Sequence, residues 1–209
     1  MKNKYEEQRQ WSDSYIPTVS RIIINCLGLD PNVWHIKVTS FDQDTKEAAD
    51  LILTDGDEEF MIALRLRNAM YMKQYPLDFT IRREYTEGYK TEFEKIMEGF
   101  ADMMFYGFRD GNRVVRWVFL SMDAFRLEHH YSDIHGEWIG KPHVLYERRD
   151  NHDGRNCFHA YKITSFENPN LIIAHSPGYF EDVKTNVYEG KGVTITTHTL
   201  KPKEQRLDK

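Results

Sequence analysis

The sequence is poor in cysteine: 209 residues include only Cys26 and Cys157. These two lie far apart and have no metal-ligand spacing, which argues against a disulfide framework and against a cysteine-based zinc site. Long apolar runs are missing as well. No stretch approaches the roughly 20 residues of a membrane span. The segment from Lys2 to Arg9 is charged and polar, without the apolar centre of a signal peptide. The cytoplasm is therefore the expected compartment, with no membrane partner. Positive charge is not in excess either. With 28 Lys and Arg against 33 Asp and Glu the net charge is −5, which disfavours a protein that coats nucleic acid with its whole surface. No Gly-rich phosphate loop occurs, which disfavours nucleotide-dependent kinases and Rossmann enzymes. His175-Ser176 follows an apolar stretch but lacks a Gly-x-Ser-x-Gly elbow, so a hydrolase triad has little support.

What the chain does contain is enough apolar material for a core, 40% of residues, with many aromatics and a highly charged remainder. One α/β domain over 1–209 is expected: a core over about 6–120, a β-rich elaboration over about 121–200, and a charged tail over 201–209. Its positive residues cluster at Arg65/Arg67, Arg82/Arg83 and Arg148/Arg149.

Periodicity predicts a helix from about Glu6 to Leu27, bent near Pro17, with Val19, Ile22, Ile23 and Cys26 on one face and Gly28 ending it. Strands follow over Val33–Thr39, Ala49–Leu53 and Phe60–Arg67. Asp55-Gly56 is the turn signal between the last two. In the third strand Ala63, Arg65 and Arg67 alternate with Ile62, Leu64 and Leu66. The span from Asn68 to Lys90 reads as a polar link. Thr91 and Glu94 have capping-box spacing and start a second helix. Met103–Phe108 and Val114–Leu120 read as strands around an Asp110-Gly111-Asn112 turn. Beyond them, Glu128–His159 reads as rich in loops, and His159–Phe166, Leu171–His175 and Val193–Thr197 as strands.

Helix, three strands, helix, strand, with Asp50 on the second strand, resembles the PD-(D/E)XK nuclease superfamily over about 6–120. The resemblance implies a mixed central sheet flanked by helices, a restriction-endonuclease-like core. It also implies an acid at the start of the second strand and an acid-x-Lys on the third. Here Asp50 takes the first position, while Ala63 and Arg65 stand where the second acid and the lysine belong. Metal-dependent phosphodiester cleavage needs oxygen ligands for Mg²⁺ and a group beside the attacking water. Alanine supplies neither, and arginine grips phosphate but does not act as a base.

Active-site residues of this superfamily sometimes move to the following helix. Thr91 and Glu94 are accounted for by capping, which leaves Glu92 and Lys95 on one helical face. The candidate catalytic set is Asp50, Arg65, Glu92 and Lys95, with Asp50 and Glu92 as the Mg²⁺ ligands; Asp42, Asp44 and Glu47 are further candidate ligands. Arg67, Arg82 and Arg83 are candidates for nucleic-acid binding. Tyr71, Tyr75, Tyr85 and Tyr89 interleave with Lys73, Arg82, Arg83 and Lys90, a combination of rings and charge suited to stacking bases. The plainer roles are a strand-edge hydrogen bond for Asp50, solvated faces for the arginines, and a surface ion pair for Glu92 and Lys95. His129, His130, His135, His143, His152 and His159 fall in one stretch, but no cysteine pair completes a zinc motif.

Three functions stay open: a metal-dependent nuclease (a hydrolase), a nuclease-like nucleic-acid binder that does not cut, and a protein-interaction or inhibitor module of phage or mobile-element type. A protein partner or a homodimer is compatible with each.

Overall fold

The computed structural model describes residues 14–39, 48–85, 90–138, 146–150, 156–177, 180–190 and 193–202. Helix α1 (Ile16–Cys26) leads into β1 (His35–Val38), β2 (Leu51–Thr54) and β3 (Glu59–Asn68). Then come a short helix α2 (Met70–Gln74), β4 (Asp78–Tyr85), α3 (Glu92–Met97), and the hairpin β5 (Met103–Asp110) and β6 (Arg113–Ser121). The chain continues through α4 (Met122–Trp138), β7 (Tyr146–Asp150), β8 (Asn156–Lys162), β9 (Ile172–His175), β10 (Phe180–Gly190) and β11 (Val193–Pro202).

Six strands form a mixed sheet in the order β1-β2-β3-β5-β6-β9. Its pairs are antiparallel except for β3 and β5, which run parallel. A parallel neighbour cannot be reached by a tight turn, so the chain leaves the sheet after β3 and returns through α2, β4 and α3. The β2–β3 reversal is an ordinary hairpin. Asp55 Oδ1 accepts from the Asp57 and Glu58 N–H groups, and Gly56 takes φ 106°, a conformation that an L side chain resists.

The two faces of this sheet are buried differently. On one, Val19, Ile23 and Ile24 of α1 pack with Leu51, Leu53, Ile62, Phe105 and Phe119. On the other, Ala63, Met104, Tyr106, Phe108, Val118 and Leu120 meet α3, α4 and a second, antiparallel sheet of order β4-β8-β7. Phe79 of β4 is the hub of that second core. It stacks on Tyr161 at 5.2 Å and meets Phe125, Phe166 and Tyr106 between 5.9 and 6.5 Å. Strands β10 and β11 form a separate ribbon, paired from Phe180↔Pro202 to Gly190↔Val193 with a register shift between Asp182 and Lys184.

A mixed sheet flanked by helices is thus the architecture. Several segments differ from the sequence reading: β7 lies where loop was expected, β10 was not expected, and two more bear on the site. Residues 6–13 of the expected first helix lie outside the described residues. Residues 68–90 are no mere link, because they contain α2 and β4. The signal was present in Phe79-Thr80-Ile81, where the two apolar residues alternate about a threonine and both are fully buried. Residues 128–138, read as loop, continue α4. Polar residues mask its apolar stripe there, and Glu128 and His129 are themselves buried. The second half is also interwoven with the first, since β8 pairs with β4 and β9 with β6.

Candidate functional site

Asp50 immediately precedes β2, opposite Ala63 of β3. Asp50 does two things for the N-terminal end of β2. Its backbone N–H donates to Ile62 O at 3.0 Å, and its Oδ2 accepts the Leu64 N–H at 2.7 Å. The carboxylate therefore extends the β2–β3 ladder past the last backbone pair. Ala63, 2% exposed, lies in the second core with no polar group.

Arg65 and Glu92 come together. Arg65 Nη2 lies 3.0 Å from Glu92 Oε2, and the two side chains are only 17% and 20% exposed. Each also bonds the backbone of β4: Arg65 Nη1 donates to Thr80 O at 2.8 Å, and Glu92 Oε2 accepts the Arg82 N–H at 2.9 Å. A C=O at one residue and the N–H two residues on point the same way from a strand. The ion pair thus takes the two positions on β4 that a neighbouring strand would bond. The local sequence explains how Glu92 gets there. Thr91 caps α3 with Glu94 in a reciprocal capping box, which leaves the first-turn Glu92 to turn toward β4. Bonds donated by the backbone N–H and hydroxyl of Thr91 hold the Glu94 carboxyl below its usual range.

Lys95 lies one turn beyond Glu92 and is half-buried. It keeps interactions of its own. Arg82 lies 5.7 Å from the Phe158 ring, which Arg65 also approaches at 5.2 Å. Arg83 lies 4.2 Å over Phe93. Arg67, two residues along the same face of β3 from Arg65, lies 4.7 Å over Tyr71 of α2. Arg149 lies 4.0 Å over Tyr75 while bonding Asp78 and Glu147. Asp42, Asp44, Glu47, Tyr89, His143 and His152 lie outside the described residues. Sequence reasoning missed Thr80 and Phe158, the groups that receive Arg65, because strand β4 itself was not read.

These donors do not fit Mg²⁺, a hard cation that takes six oxygens in near-ideal octahedral geometry. One Asp50 oxygen is occupied by a backbone N–H, Ala63 offers no donor across from it, and a Glu92 oxygen is held by a guanidinium and an amide. Among the described residues no group of three His, Cys, Asp or Glu side chains is gathered for a metal. His129 and His159 instead belong to an aromatic stack, with His159 3.7 Å from the Tyr146 ring. Among the described residues no helix is long and apolar enough to cross a membrane.

No protein-family model, curated protein or solved structure matches the chain.

Proposed function

We propose that the chain is a nuclease-like protein that binds nucleic acid without cutting it. The order α1, β1, β2, β3, α3, β5, with α2 and β4 inserted between β3 and α3, supports the nuclease-like part, since the resemblance rests on it. The observation that carries the non-cleaving part is the closed Arg65–Glu92 pair. Both groups that would have to serve phosphate or metal are bonded to each other and to β4. Breaking such a half-buried pair leaves an uncompensated charge and is costly. Binding then rests on arginines near the closed pair, Arg67, Arg82 and Arg83, each presented on an aromatic ring.

The test incubates the protein with single- and double-stranded DNA and RNA in Mg²⁺ or Mn²⁺. Retarded migration without cleavage is the expected outcome. Metal-dependent cleavage that Asp50→Ala and Glu92→Gln abolish restores the catalytic reading and overturns this one.

A protein-interaction module is the second reading, favoured by a specific feature of α4. Leu127 and Tyr131, one turn apart, are 65% and 63% exposed. Copurification of a protein partner that Leu127→Glu releases, with no nucleic-acid binding, selects it.

A further inference from the structure

In the short helix α2, Met72 packs against the second core, but Met70 and Tyr71 are largely left to solvent. None of its residues is fully buried, yet its sequence is Met-Tyr-Met-Lys-Gln. Met70 is 68% exposed and Tyr71 38%. Beside them stand two cations, Lys73, which is exposed, and Arg67, whose guanidinium lies 4.7 Å over the Tyr71 ring. Arg149, on the neighbouring Tyr75, is neutralised by Asp78 and Glu147 and adds little outward charge.

We propose that α2 and the end of β3 form a ledge for single-stranded nucleic acid, a site that rests on the nucleic-acid reading above. Tyr71, with Arg67 over one ring face, offers the other face to one unpaired base, Met70 covers the neighbouring apolar surface, and Arg67 and Lys73 supply charge to the flanking phosphates. Single-strand sites combine this kind of ring face with a few cations. A duplex is a poor occupant because its base faces are stacked inside, and two cations are few for two backbones. The net charge of −5 works against long-range attraction, so binding at the ledge rests on local contacts.

The test is fluorescence anisotropy with labelled oligothymidylate, oligouridylate and a mixed-sequence duplex. Binding of the single strands, with weaker binding of the duplex, is expected. Two phosphate contacts imply a salt slope of about −1.4, so a fourfold rise in salt weakens binding about sevenfold. Tyr71→Ala should weaken it roughly 5- to 150-fold, while Tyr71→Phe, which keeps the ring, stays within about twofold. Lys73→Glu should also weaken binding, whereas Lys37→Gln, on β1, should not. Since Tyr71 is exposed, an unchanged melting temperature for Tyr71→Ala shows that the fold is kept. Single-strand binding that survives both Tyr71→Ala and Lys73→Glu overturns the ledge and leaves the broader binding reading intact. Preference for the duplex overturns the single-strand assignment. Absence of binding to every probe overturns both.

Discussion

Arg65 and Arg67 stand two residues apart on one face of one strand, yet the fold treats them differently. Arg65 meets the edge of β4, where Thr80 O and the Glu92 carboxylate hold it. Arg67 lies beyond that closure and rests on the partly exposed ring of Tyr71. The same side chain is a structural tie in one place and a cation stacked on a ring in the other. What decides between them is the element opposite, here a sheet edge with backbone groups in need of partners. A strand edge left open is a template for unwanted pairing, and the ion pair covers part of this one with side-chain groups.

The comparison can be broken first at its support. Phe79→Ala removes the hub that docks the second sheet and should cost about 4 kcal/mol, read as a shift in the urea midpoint. If the loss is under about 1 kcal/mol, the second sheet is not held through this core and the closure of Arg65 needs another cause.

Next comes the ion pair itself. Glu92→Gln strands the Arg65 charge and should cost about 2 kcal/mol, with faster hydrogen exchange at the Arg82 amide. A double-mutant cycle with Arg65→Ala should give a coupling of about 1 kcal/mol or more; near-additivity would show that the pair is not a tie.

A smaller effect concerns acid. The Glu94 carboxyl is depressed in the fold, chiefly by the Thr91 backbone N–H, so its contribution is complete above the unfolded carboxyl range. That contribution is lost as pH falls through the lower folded value. Thermal melts down the acid limb should therefore be less pH-dependent in Glu94→Gln, and unchanged steepness would count against the capping box.

Smallest of all, Arg67→Ala should change stability by no more than about 0.5 kcal/mol. A loss as large as that of Glu92→Gln would erase the distinction between the two arginines.

Much of the main sheet was legible in the sequence. The alternation in β3, the Asp55-Gly56 and Asp110-Gly111 turns and the Thr91–Glu94 box are local signals, and each corresponds to a described element. Strand β4 was less legible because its apolar residues, Phe79 and Ile81, are set among Asp78, Thr80, Arg82 and Arg83. Of the candidate residues, Asp50, Arg65 and Glu92 were singled out through the family resemblance, but their partners could not be named. Thr80 lies 15 residues from Arg65 in sequence, and it receives the guanidinium through a backbone carbonyl, a group that every residue has. Phe158 is farther still, brought in by the pairing of β8 with β4.

The sequence by itself determined which face of β3 carries charge, where α3 begins, and that Ala63 supplies no ligand. Those outcomes follow from side-chain identity, from a strand's period of two and from the local geometry of a cap. Only the tertiary structure decided that Arg65 and Glu92 close on each other while Arg67 stacks on the partly exposed Tyr71. The reason is physical: whether a charge is satisfied or available depends on which distant backbone groups the fold leaves without a partner, and no spacing along the chain records that.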